Sequence, residues 1–179
     1  MGRIIPGCPD QRGSPGELWS TLLSMLLSLL SRLHFTNGVI DLRLSAEDVV
    51  SEECGIQDGY VFYIYKHHGL CKMGYVSLRL GESPSLYYLG HIGYRIDPPY
   101  RGHGYARQAC ELLKPLMAEH GLRSVVITTD TDNLPSRRTC EHLGCTLESI
   151  ADVPHEYRVL CSGSEKKCRY IFFASEADQ

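Results

Sequence analysis

The sequence is most informative at first through what it lacks. There is no basic surplus, since 18 Lys and Arg stand against 21 Asp and Glu for a formal charge of −3. The cationic field behind nonspecific nucleic-acid binding is therefore missing, and no nucleic-acid partner is expected. None of the eight cysteines forms a Cys-x-x-Cys pair, and no histidine pair stands at zinc-finger spacing, so no metal site is expected. Their scatter reads as reduced thiols of a cytoplasmic protein. No internal repeat is visible. The longest apolar run, Leu18 to Leu33, falls short of the roughly 20 residues a bilayer span needs, so no membrane partner is expected.

That run carries Ser20, Ser24 and Ser28 at every fourth position, which places the hydroxyls on one stripe of a helix. It admits three readings: a membrane span, a secretory signal, and a helix packed against the sheet or against a second subunit, which would make a homodimer. Its length disfavours the first. Asp10 and Glu17 in the flank, with no small-x-small cleavage pattern after the run, disfavour the second. Residues 1–16 have no periodicity. Residues 1–34 are thus set apart as a leader and Leu-rich helix, 35–174 as one domain, and 175–179 as a tail.

With 43% hydrophobic and 22% charged residues, the composition is that of a folded globular domain. After a turn at Asn37-Gly38, strands are expected at Val39 to Leu44, Tyr60 to Lys66, Met73 to Leu80 and Leu89 to Asp97, with His67-His68-Gly69 closing a hairpin. Pro98-Pro99 should stop the fourth strand, because proline cannot donate to a ladder. A helix follows from Gly104 to His120, with Pro115 bending or ending it. Then come the strand Ser124 to Thr129, a helix from Leu134 to Leu143 stopped by Gly144, and strands at Cys145 to Val153 and Lys167 to Ala174. The expected class is α+β.

Chemistry concentrates where the fourth strand meets the long helix, at Arg101-Gly102-His103-Gly104-Tyr105-Ala106. Strand, glycine-rich turn and helix start make a phosphate site, because glycines admit a close approach and the helix N-terminus supplies free amides and a partial positive charge. A P-loop is excluded, since Tyr105-Ala106 stand where Lys-Ser/Thr would fall; a Rossmann fingerprint loses its third glycine to Arg107. Glycine spacing alone also suits a simple helix-starting turn.

The segment resembles the acetyl-CoA loop of the GNAT N-acetyltransferases, Arg/Gln-x-x-Gly-x-Gly/Ala, through Arg101, Gly104 and Ala106. His91-Ile92-Gly93-Tyr94-Arg95-Ile96-Asp97-Pro98 is similar to that family's fourth strand. Asn133-Leu134-Pro135-Ser136 through Leu143-Gly144 is similar to its Asn-x-x-Ala/Ser helix. The resemblance implies a mixed, mostly antiparallel sheet flanked by helices and splayed between the fourth and fifth strands. It implies acetyl-CoA as cosubstrate, held by Ile96, Asp97 and Pro98 along the pantetheine arm, by Arg101, Gly102, His103, Gly104, Tyr105 and Ala106 at the pyrophosphate, and by Asn133 with Ser136 nearby.

The acceptor would be a small-molecule or peptide amine. His91 stands where relatives often carry a Glu and is the expected base, although a structural role is as consistent with its strand position. Many relatives place an acidic tyrosine seven residues after the asparagine. Here that position is Cys140, which is either a proton donor or a small hydrophobe. A noncatalytic acyl-CoA-binding sensor or subunit remains the alternative, and the acceptor loops at Glu47 to Gly59 and Pro154 to Lys166 follow no recognised pattern.

Overall fold

A computed structural model describes residues 34–47 and 49–175. The Leu-rich run, Cys8 and residues 176–179 lie outside the described residues. Eight strands form one sheet: β1 (His34–Thr36), β2 (Ile40–Ala46), β3 (Asp58–Lys66), β4 (Lys72–Leu80), β5 (Ile92–Ile96), β6 (Ser124–Asp130), β7 (Thr146–Asp152) and β8 (Lys166–Phe173). Their spatial order is β1-β2-β3-β4-β5-β6-β8-β7. All neighbours are antiparallel except β5 and β6. The helices are α1 (Pro84–Leu89), α2 (Tyr105–Leu112), α3 (Lys114–Glu119) and α4 (Leu134–His142).

The turns expected from sequence carry the chemistry that makes them. Asn37 Oδ1 accepts from the N–H groups of Val39 and Ile40, closing a β1–β2 hairpin. Strand β1 was not expected, because three residues are too short to show a period. The expected fourth strand is also shortened. Leu89 belongs to α1, whose first turn is fixed by the Ser83 hydroxyl accepting from Leu86 N–H at 3.0 Å and by Pro84. The run Leu-Tyr-Tyr-Leu is apolar enough to pass for strand. The Ser-Pro cap that starts the helix was the overlooked signal. Pro115 acts as expected: the helix breaks at Leu113 and restarts with the proline in its first turn.

The core lies where α2, α3 and α4 meet the sheet. Phe62, Val76 and Leu78 pack there with Ile92, Ile127 and Tyr170, all at most 2% exposed. Burial of each such side chain is worth about 1.5–3 kcal/mol. At the far end of the sheet, Asp41 is 2% exposed yet fully answered. His67 Nδ1 sits 2.8 Å from its Oδ1, and His68 N–H donates to its Oδ2 at 3.0 Å, which clamps the β3–β4 turn to β2. Burial pulls the Asp41 carboxyl upward, but the hydrogen bonds from His67, Thr36 and His68 outweigh it and hold the group well below the usual carboxylate range.

Two neighbouring seams differ sharply. β4 and β5 pair over five positions, from Gly74–Ile96 to Leu78–Ile92. β5 and β6 run parallel and pair at Ile92–Ile127, the one matched position. Just before β5, His91 N–H also donates to Val126 O at 2.7 Å.

Candidate active site

The gap beyond Ile92–Ile127 is the candidate site. A cavity of about 280 Å³ opens there, and its lining includes Tyr75, Arg79, Gly93, Tyr94, Thr129, Asp130, Asn133 and Ser136. Strand alternation makes this set informative. Tyr94 is on the same face as Ile92, toward the helices, whereas Tyr75, Arg79 and Gly93 belong to the opposite face. Side chains of both faces line one space, so the cavity passes between β5 and β6.

On the helix face, the Tyr94 hydroxyl lies 2.8 Å from Ser136 Oγ and 3.3 Å from the Ser136 carbonyl. Burial, then the neighbouring Cys140 and Cys110 thiols, push this phenol well above its ordinary value, so it stays protonated. Asn133 caps α4, its Oδ1 accepting from Ser136 N–H at 3.2 Å. Its Nδ2 has no partner among the described residues and is exposed. Thr129 is 4% exposed and its hydroxyl has no partner among the described residues. Such an orphan costs about 1–3 kcal/mol until something satisfies it.

The loop after β5 joins the strand to α2 through a tight turn. Pro98–Tyr100 forms a single 3-10 turn, and Arg101 Nε donates back to the Ile96 carbonyl at 2.9 Å. Gly104 has φ +72 at the start of α2, a left-handed conformation that glycine adopts without cost, and the space where its Cβ would be is empty. The first amides of α2 have no intrahelical partner. The expected pyrophosphate residues Arg101 to Ala106 follow Ile96, Asp97 and Pro98 at the end of β5, and of the expected cosubstrate residues Asn133 and Ser136 are the ones that line the cavity.

The two candidate catalytic residues fare differently. His91 lies immediately before β5 and lines a second cavity of about 560 Å³ with Glu82, Tyr87, Tyr88, Tyr157 and Arg169. Its Nδ1 faces the Val126 N–H at 3.3 Å, and burial lowers its pKa from 6.5 against the pull of Glu82 and a hydrogen bond to the Gly81 backbone. The ring is a neutral imidazole with a weak, long contact on one nitrogen. Cys140 is 0% exposed and sits in the core rather than on the cavity wall. A hydrogen bond with Cys145, then burial, push its thiol far above the usual range. Its place in the core, off the cavity wall, favours the small-hydrophobe reading of Cys140 over the proton-donor one. All seven described cysteines are free.

Sequence reasoning missed the Tyr94 side chain, Arg79 and Thr129. Their parity within the strands was legible; which face becomes the cavity was not.

Residues 36–146, more than half of the chain, match the sequence profile of the acetyltransferase (GNAT) domain, and the chain belongs to this family. No curated protein matches it. Among solved structures, it is similar to RimL, a ribosomal L7/L12 alpha-N-protein acetyltransferase, at 18% identity over 79% of this chain and 97% of that one, with a TM-score of 0.55. It is also similar to the ribosomal-protein-S5-alanine acetyltransferase of Vibrio fischeri, at 16% identity over 96% and 79%, with a TM-score of 0.51. The match to the microcin C7 self-immunity acetyltransferase MccE, 21% identical with a TM-score of 0.48, covers 64% of this chain and 61% of that one. The first two likenesses show a common fold. Among the described residues, no helix is long and apolar enough to cross a membrane.

Proposed function

We propose that residues 35–174 form a cytoplasmic, acetyl-CoA-dependent N-acetyltransferase that moves the acetyl group directly onto an amine. The observation that carries this reading is the single-pair seam between β5 and β6, with a cavity lined from both strands. The residues fit acetyl-CoA, which when bound supplies an activated thioester. Amides of Arg101 to Ala106 receive the pyrophosphate. The pantetheine arm lies along Ile96, Asp97 and Pro98 as a missing strand would, with Asn133 Nδ2 as a further donor.

The amine lone pair attacks the thioester carbon; the C–N bond forms and the C–S bond breaks. Backbone N–H groups of β5 near Tyr94 and Ile96 face the carbonyl oxygen as charge develops on it. Neutral His91 takes the amine proton, through water, by opening its long contact with Val126. Tyr94, coupled to Ser136, gives its proton to the departing thiolate. Burial that weakens the phenol as an acid also makes a thiolate more basic in the same dry gap, so the transfer stays matched.

The decisive experiment is release of CoA from acetyl-CoA over a panel of amines, with acetylated product confirmed by mass. Amine-dependent release supports catalysis. Tight CoA binding without release for any amine contradicts it and favours a noncatalytic acyl-CoA sensor, the reading that the small side chain at Cys140 keeps in play.

A further inference from the structure

The gap also holds a positive charge that no carboxylate among the described residues answers. Among the described residues, Arg43, Arg107, Arg158 and Arg169 each pair with a carboxylate, at 3.6, 2.9, 3.1 and 2.6 Å. Arg79 does not. It is half-buried on the cavity wall, and its Nη1 donates to the carbonyls of Gly90 at 2.9 Å and Leu89 at 3.4 Å. Those bonds orient the guanidinium without neutralising it. Its Nη2 lies so near Gly93 that a Cβ there would stand 2.6 Å away, so glycine at this position is what gives the fork room beside β5. The other charges of the cavity cancel: Asp130 holds Lys167 at 2.5 Å and a bond from Ser164. One net positive charge remains, on the face opposite Tyr94 and Ser136.

A half-buried guanidinium with free donors is a receptor for a planar anion, because its N–H groups match the two oxygens of a carboxylate. A cationic group beside it would be repelled, which disfavours diamines and lysine-rich acceptors. The cavity of about 280 Å³ must also receive the acetyl end, leaving room for a small molecule.

We infer that the acceptor is a small amino carboxylate, its carboxylate seated on Arg79 and its amine thereby turned toward the thioester between β5 and β6. This rests on the acetyltransferase reading above. The anchor places the nucleophile by its neighbouring charge, so Arg79 sets specificity and takes no part in proton transfer.

The test is a set of L-amino acids, each paired with its amide, together with one capped-carboxyl peptide bearing a free N-terminus, with rates compared per unprotonated amine. The wild-type protein should favour the acid over the amide by tenfold or more in kcat/KM. In Arg79→Gln the ratio should fall to about one, with acetyl-CoA affinity and melting temperature little changed, and Arg79→Lys should restore part of it. Equal use of acid and amide, a uniform loss over both series in Arg79→Gln, or preference for the peptide overturns the assignment. So does failure of every amino acid both to turn over and to bind the CoA-loaded protein at millimolar concentration by NMR. Loss of acetyl-CoA binding by the wild-type protein would instead remove the acetyltransferase reading itself.

Discussion

The β1–β2 end of the sheet and its β5–β6 middle handle polar groups in opposite ways. Around Asp41 every acceptor is answered from within, by His67 and by His68 N–H, and the arrangement ties a hairpin to its neighbour. In the β5–β6 gap the buried Thr129 hydroxyl and the half-buried Arg79 charge have no counterpart among the described residues. A folded chain tolerates such orphans where a ligand completes them. The closed cluster is a clamp, and the open one is a site.

The largest expected effect is at the open end. Tyr94→Phe removes the phenolic proton while keeping the ring in place, so kcat should fall about 100-fold with CoA affinity nearly constant, measured by steady-state kinetics and titration. An unchanged kcat would leave the gap without its proposed acid. At the closed end, Asp41→Asn should cost about 2 kcal/mol in denaturant unfolding without touching turnover. The native Asp41 carboxyl titrates below its unfolded counterpart, so its stabilisation is full above pH about 4 and fades as the solution becomes more acidic; the variant should lack this acid limb. Loss of activity in Asp41→Asn at a temperature where it is folded would blur the division between clamp and site. The smallest effect belongs between the two, in the core. Cys140→Ala should lower stability by about 1–2 kcal/mol through lost packing, with kcat within a factor of two of the wild type. A large fall in kcat would reinstate its thiol as a participant.

The glycine turn before α2 was legible because its geometry is local: Gly102, Gly104 and the helix start lie within a few residues, and backbone conformation follows from residue type. Strand periodicity placed the four long strands before the loop on the same grounds, apart from the α1 turn hidden in Leu-Tyr-Tyr-Leu. Tyr94 was seen as backbone only. Its hydroxyl matters because Ser136, 42 positions later, folds back onto it, and Cys140 one turn further leaves space beside it. Arg79 was equally hidden, since a lone arginine in an apolar strand shows its missing partner only when the neighbours from α1 and β5 are in place.

The central claim, that the turn after β5 receives the pyrophosphate of acetyl-CoA, is tested most directly by calorimetric titration of CoA into the wild type and into Gly104→Val. A branched side chain at φ +72 is strained by about 1–3 kcal/mol and fills the space left open at the helix start. CoA should bind the wild-type protein and bind Gly104→Val at least tenfold more weakly, in a variant shown by its melting curve to be folded. Equal CoA affinity in the two proteins would contradict the claim.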